Sequence, residues 1–493
     1  MPEGEIAEKL HSVFTQPRFD TGVKFDAGNK TATEIEKRIR ERDGKIPFSE
    51  FMDISLYSEH GYYSSGKVDI GIEKDFQTSP EASELFGASI TSVLIKTWSA
   101  MGRPERFQVV EMGAGQGALA HSILQWAEDL DPDFSKSLQY TIVEYAKDLI
   151  PRQQEKLAMF QNVQWIRGSA YELPLANIEG AFISNELPDA FPVERVAKLN
   201  GEVKQKFVSI DDNSWVEIWD NPSPEVAKFI EDNKLQIHGG VEEPINIKAL
   251  ELQRQLDQAL NKGVILTVDY GKNGTVGVKN TIGVRTFGRS GNMYRRDFLK
   301  AYEYPGNVDI TSSINFSILT EQSIKDGLKV VFSGTQYDFL TKAGIAEIAT
   351  KMREIAQTTR FWDELVRMSK NISGYHFLSS STANFYSLMV AKGINTAHLD
   401  FINTQEAIDT KPPKVPVRLP ESGKTYYLGF PSLAEEAEYD TNIMITDEEG
   451  RLWLYPHTLE RIKIIGTDQK VVLDLTQKEN LVQVVKDAGY IMS

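Results

Sequence analysis

Near-continuous apolar runs recur through the middle of the chain, at Phe107–Glu111, Tyr140–Glu144, Val163–Arg167, Ala181–Ser184 and Val264–Asp269. Stretches at helical spacing lie between them, Ala118 to Leu130 being the clearest. Such runs suit strands covered on both faces, the signature of a parallel sheet with helices packed on it. Each run ends in polar residues: Glu111, Glu144, Ser169, Asn185-Glu186 and Asp269-Tyr270. In an open α/β sheet the ligand sits at that carboxyl edge. Lys329–Phe332 and Ala383–Val390 are expected to supply the last strands.

The flanking pattern is different. Residues 31–43 read as a charged helix with Thr31 or Thr33 as N-cap. A Tyr-rich segment, Phe51 to Tyr63, precedes a helix from Glu81 to Met101 with an apolar stripe through Leu85, Ile90, Leu94 and Trp98. Between the fourth and fifth strands an insertion at about 193–262 predicts a meander (Val193–Leu199, Val203–Ile210, Trp215–Trp219) followed by helices. The Pro-rich stretch Lys411–Pro416 marks a linker. The expected organisation is a helical N-terminal segment at 1–105, an α/β core at 106–392 with a mostly parallel twisted sheet, a linker at 393–420, and a small α+β module at 421–493.

At 493 residues the chain exceeds one ordinary core. Its net charge of −16 argues against nucleic-acid and anionic-membrane partners, because phosphate binding needs a basic face. The absence of cysteine excludes disulfides, thiolate nucleophiles and Cys-based metal sites. The seven histidines show no metal-ligand spacing, so no metal is expected. With no apolar leader and no run of membrane-spanning length, the expected location is the cytosol and membrane insertion is not expected.

The chemistry centres on Glu111-Met112-Gly113-Ala114-Gly115-Gln116-Gly117-Ala118, where a strand runs into a helix through three alternate glycines. Glycine lets the backbone approach a ligand closely and take positive φ, and the helix start presents unpaired N–H groups there. Two nucleotide-like cofactors compete for this turn. Gly113, Gly115 and Ala118 fit the dinucleotide fingerprint. Glu111, Gly113, Gly115 and Gly117 fit the E/D-x-G-x-G-x-G signature of methyltransferases that use S-adenosylmethionine. Glu144, ending the second strand, is placed to accept hydrogen bonds from the ribose hydroxyls of either.

After the fourth strand, Asn185-Glu186-Leu187-Pro188-Asp189-Ala190-Phe191-Pro192 makes a rigid polar loop. In a methyltransferase this edge faces the methyl group. Carboxylates there grip a guanidinium bidentately and offset a charge that arginine cannot shed beforehand.

With these motifs in order, the chain resembles the MidA family of methyltransferases. Ile46-Pro47-Phe48, Phe51-Met52 and Leu56-Tyr57 with Gly61-Tyr62-Tyr63 follow the family's N-terminal pattern. Asp75-Phe76-Gln77-Thr78-Ser79-Pro80-Glu81 and Phe86-Gly87 come next, then the glycine turn, Asn185-Glu186 with Asp189-Ala190-Phe191-Pro192, and Asp269-Tyr270-Gly271. Asp309-Ile310-Thr311, Asn315-Phe316, Thr335-Gln336 and Phe339-Leu340 complete the set, over roughly residues 44–392. Lys74 and Pro188 depart from the family pattern.

The resemblance implies a class I (Rossmann-like) methyltransferase core whose N-terminal segment closes over S-adenosylmethionine. The expected cofactor-binding residues are Thr78, Pro80, Glu111, Gly113, Gly115, Gly117, Glu144 and Ser169, with Asn185, Glu186 and Asp189 on the catalytic, acceptor side. The family's mitochondrial member methylates an arginine of a respiratory complex I subunit, aiding its assembly, so an arginine-bearing protein is the expected substrate. A small-molecule methyltransferase and a non-catalytic assembly factor are the alternatives. The module after Pro420 lies outside the resemblance, and partner binding or homodimer formation is its expected use.

Overall fold

The computed structural model describes residues 18–66, 78–170, 172–237, 242–273, 282–286, 299–380 and 385–399, with five short strands between 415 and 465. Asp75-Phe76-Gln77, Lys74, most of the expected linker and the helix expected near the C-terminus lie outside the described residues. The chain divides into two compact units.

The first unit is built on the expected sheet. Its strands are β1 (Phe107–Met112), β2 (Leu138–Glu144), β3 (Val163–Arg167), β4 (Ile178–Asn185), β5 (Leu260–Lys272), β6 (Lys329–Thr335) and β7 (Phe385–Lys392). They lie in the order β3-β2-β1-β4-β5-β7-β6. The first five are parallel, and β7 runs antiparallel between β5 and β6. Val110 and Met112 of β1 and Phe182 of β4 share a core with Leu252 and Leu256 of a covering helix, Ile247–Ala259. Their neighbours Val109 and Ala181 are equally buried, which is why the strands read as unbroken apolar runs. The carboxyl ends of β1, β2 and β4 therefore come together at one edge.

Where β4 and β5 enter the sheet, Gly180 and Gly263 are register partners. A Cβ on Gly180 would lie 2.0 Å from the Gln108 carbonyl oxygen, and one on Gly263 1.8 Å from that of Gly180. Any other residue would push these strands apart.

The insertion forms the expected meander, Glu194–Leu199, Glu202–Asp211 and Ser214–Asp220. It also recruits strands that the sequence pattern did not show. Arg18–Lys24 pairs with Ser214–Asp220, Ile46–Pro47 with Glu202–Asp211, and Glu242–Ile245 with Glu194–Leu199. The N-terminal segment is thus not purely helical, because two of its stretches complete an antiparallel sheet. Within that sheet Lys206 donates to Glu217 (2.7 Å) and Glu242 (3.1 Å), and Arg195 also pairs with Glu242. Buried charges persist only when paired in this way.

Two helices, α1 (Lys30–Glu41) and α2 (Phe48–Tyr57), pack with this sheet. Phe51 touches Trp215 and Tyr302, with ring centroids 5.8 and 4.9 Å apart. Truncating a buried ring of this kind costs about 3–5 kcal/mol. The cap of α1 is Asn29, whose side chain accepts from the Ala32 N–H at 3.0 Å, not Thr31 or Thr33. Asn29 precedes the first helical residue, whereas both threonines already lie inside the helix.

In the second unit, Ile345–Thr358 packs with Trp362–Ser380. Arg367 of the latter helix bonds Glu364 and Glu84. Strands between Val415 and Ile465 form a five-stranded antiparallel sheet. No described helix is long and apolar enough to cross a membrane.

Candidate active site

Gly113, Gly115 and Gly117 follow β1 with φ of 68°, 53° and 80°. All three occupy the left-handed region, where a side chain would cost roughly 1–2 kcal/mol each. The Gly113 N–H donates to the Val143 carbonyl at 3.0 Å, fastening the turn to β2. Gly117 is the N-cap of α3 (Ala118–Leu130), and no side chain caps that helix start. Its first N–H groups and its positive dipole end therefore face the turn. A Cβ on Gly113 would lie 2.9 Å from Leu187 Cδ1, so glycine also lets the loop after β4 close on the turn.

Glu144 is buried at the end of β2. Its carboxylate accepts from the Ala146 N–H and from Gln153 Nε2, both at 2.9 Å. Burial pushes its pKa above the ordinary carboxylate value, against the opposing pull of these donors. Gln153 belongs to α4 (Leu149–Lys156), and its Nε2 also reaches the Gly115 carbonyl at 2.8 Å, while Oε1 accepts from Trp165. An ionised carboxylate offers about four acceptor directions, which leaves room for ribose hydroxyls. The residues present thus fit an adenosine.

Glu111 stands apart from the other expected cofactor residues. It is buried and accepts a hydrogen bond from the Tyr140 hydroxyl at 2.8 Å, which satisfies it within the sheet. Burial first, and the nearby Glu144, raise its pKa to about 7.

In the loop expected to meet the acceptor, Asn185 ends β4 and Glu186 follows at φ 50°, uncommon for a non-glycine residue. The Glu186 N–H donates to the Val268 carbonyl at 2.9 Å, and Asn185 Nδ2 donates to Glu186 Oε1 at 3.2 Å. Asp189 sits on a 3₁₀ turn, Pro188–Ala190, and its N–H donates to Asp269 at 3.0 Å. Burial, then Asp189 and Glu186, hold the Asp269 carboxyl well above the usual range. Asp309, on the strand Val308–Ser312 packed against that turn, accepts from the Tyr63 hydroxyl at 3.0 Å. Asn185 Oδ1 is buried and has no hydrogen-bond partner among the described residues.

Two clefts adjoin this edge. One of about 530 Å³ is lined by Asp53, Tyr57, Tyr145, Ser169, Leu187 and Phe191 with charged residues of α1. The other, about 420 Å³, shares Tyr57, Tyr145 and Ser169 and adds Lys147, Arg167 and Gly168. Ser169 lines both clefts. Of the remaining expected residues, Thr78 is the end of a segment of the first unit, and Pro80 is buried in the short helix Ser79–Ala82 of the second.

Gln153 was missed in the sequence. Its signal was there: Leu149, Gln153 and Leu157 recur at intervals of four, all buried, so a polar residue occupies the inward stripe. Asp269 was legible as a strand end and in the motif Asp269-Tyr270-Gly271, and Tyr140 only as the start of a strand.

Residues 89–333 match the family model of S-adenosyl-L-methionine-dependent methyltransferases. The human mitochondrial protein arginine methyltransferase NDUFAF7 is 27% identical over 66% of this chain and 77% of its own length. Its Drosophila melanogaster homologue, also named mitochondrial, is 23% identical over 74% and 86%. The crystal structure of a superfamily member from Burkholderia thailandensis, bound to S-adenosyl-homocysteine, superposes with a TM-score of 0.60. It is 25% identical and covers 74% of this chain and 92% of that one. The mitochondrial names overturn the cytosolic expectation. Mitochondrial leaders are amphipathic and have no apolar region, so the lack of one does not discriminate between these compartments.

Proposed function

The chain belongs to the MidA-type family of S-adenosylmethionine-dependent methyltransferases, and we propose that within it this protein methylates an arginine of a protein substrate. Membership makes S-adenosylmethionine the cofactor rather than a dinucleotide, and the left-handed glycines of the turn support it as the seat of that cofactor. Bound there, the cofactor supplies an electrophilic methyl group on a sulfonium.

The observation that carries the choice of acceptor is the chemistry of the loop after β4. Asn185 Oδ1 is a buried acceptor with no donor among the described residues, and the neighbouring Glu186 and Asp189 add only acceptors in their ionised forms. A guanidinium is the complementary group, with five N–H donors and no acceptor. In this reading Asn185 and Glu186 orient the nitrogen, Asp189 balances the charge, and a carboxylate of the Asp189–Asp269 pair takes the N–H proton released as the N–C bond forms. The names of the curated relatives support the same acceptor class, and the family resemblance supports a respiratory-complex subunit.

The test is acid hydrolysis of total protein after incubation of the enzyme with labelled S-adenosylmethionine and a cell extract. Label is expected in methylarginines and is expected to vanish with Asp189→Asn. Label confined to lysine or to low-mass products would overturn the reading.

A further inference from the structure

We propose that Tyr57 is a positioning residue that ties the cofactor end of the site to the acceptor loop. Five contacts converge on it, one of them Ser64 Oγ donating to its carbonyl at 3.0 Å. Its hydroxyl donates to the Ala190 carbonyl at 2.9 Å, at the end of the turn that carries Asp189. Its own carbonyl accepts from the Tyr145 hydroxyl at 3.2 Å, and Tyr145 directly follows Glu144. Its ring stacks on Tyr63, with centroids 5.5 Å apart and planes at 15°, and meets Tyr145 edge-on at 5.8 Å. Tyr63 in turn bonds Asp309.

The geometry is more than packing. A tyrosine held for its ring alone leaves its hydroxyl to solvent, whereas this one is spent on a main-chain carbonyl of the acceptor loop. The helix behind it is fixed, because Phe51, Ile54 and Leu56 of α2 are buried. Tyr57 therefore stands at the end of a rigid element, which is where a positioning group is most effective. Tyr145, by contrast, is 46% exposed, and its hydroxyl bond runs to Tyr57. When a cofactor orders the chain at Glu144-Tyr145, the effect reaches Ala190, beside Asp189, through the side chains of Tyr145 and Tyr57. Two sites coupled through a shared element influence each other by about 5–150-fold.

This inference rests on the cofactor assignment and not on arginine as the acceptor. It is tested by amide hydrogen exchange on the full chain with and without saturating S-adenosyl-homocysteine. In the wild type, ligand is expected to slow exchange of the Glu186, Asp189, Ala190 and Phe191 amides by about tenfold. In Tyr57→Phe, read at saturating ligand, that gain is expected to fall below about twofold. Tyr145→Phe removes the other hydrogen bond at an exposed position and is expected to lose the gain in the same way, so the outcome stands even where Tyr57→Phe does not fold. A gain retained in either folded variant, or no gain in the wild type, overturns the proposal. A purely structural Tyr57 would alter exchange equally with and without ligand, which also overturns it. No acceptor enters the experiment, so its failure is distinct from failure of the arginine reading.

Discussion

Gln153 donates one amide hydrogen to the Glu144 carboxylate at 2.9 Å and the other to the Gly115 carbonyl at 2.8 Å. A single side chain thus sets the distance between Glu144, the acid proposed to meet the ribose, and the glycine turn. Gln153→Glu keeps the shape, removes both donors and sets a second carboxyl beside Glu144. Leaving these buried acceptors unpaired costs about 1–3 kcal/mol. Calorimetry with S-adenosyl-homocysteine should show affinity down by about 10–100-fold, since each 1.4 kcal/mol is tenfold. Unchanged affinity would remove Gln153 from the site.

Glu144, as the proposed ribose acceptor, should make cofactor binding pH-dependent. Its carboxyl titrates above the ordinary carboxylate value in the free protein, and ribose hydroxyls donate to the ionised form. Affinity should therefore fall on acidification, starting at a pH above the usual carboxylate range. Glu144→Gln should bind more weakly at neutral pH and lose that slope. Titrations at several pH values decide it.

Glu111 carries the opposite sign for stability. Its carboxyl titrates at about 7 folded against an ordinary 4.5, so the folded state holds a proton that the unfolded state has released. This shift corresponds to about 3 kcal/mol. The penalty is absent below the unfolded value, grows as pH rises from 4.5 to about 7, and is constant above. Glu111→Gln, which still accepts from Tyr140, should match the wild type at pH near 4.5 and exceed it by up to about 3 kcal/mol at alkaline pH. Denaturant melts at both ends of the range test this.

Glu186 reverses an ordinary rule. At most positions Gly is less stable than Ala by about 0.5–1 kcal/mol. At φ 50° the order should invert, with Glu186→Gly more stable than Glu186→Ala by about 1 kcal/mol. Both variants should lose at least about tenfold in methyl transfer, the loss expected from removing one charged hydrogen-bonding group, while still binding S-adenosyl-homocysteine. Equal melting temperatures would show that the loop relaxes its backbone.

The sheet was legible because its strands are local apolar runs, and each one from β1 to β7 falls where Phe107, Tyr140, Val163, Ala181, Val264, Lys329 and Ala383 open or flank a run. The glycine turn was legible because its backbone conformation forces residue identity. What escaped depends on partners far away in the chain. Arg18–Lys24 alternates Phe19, Thr21 and Val23 with exposed Arg18, Asp20, Gly22 and Lys24, but with two large apolar residues and a central glycine its strand is completed only by pairing with Ser214–Asp220. Glu111 sits in the expected motif, yet Tyr140 on the neighbouring strand claims its carboxylate. The cap of α1 was misplaced by two to four residues because Asn29, Thr31 and Thr33 are all good caps, and tertiary packing of Thr31 decides among them.

The pairing of Arg18 with Ile218 sets a schedule for synthesis. At about 5–20 residues per second, the first strand leaves the ribosome roughly 10–40 s before its partner exists. Through that interval its hydrogen-bonding edge has no strand of this chain to meet and is open to others. The strand Arg18–Lys24 thus waits for about two hundred residues of later synthesis before Ser214–Asp220 covers its edge, which is the interval in which a nascent-chain chaperone would protect it.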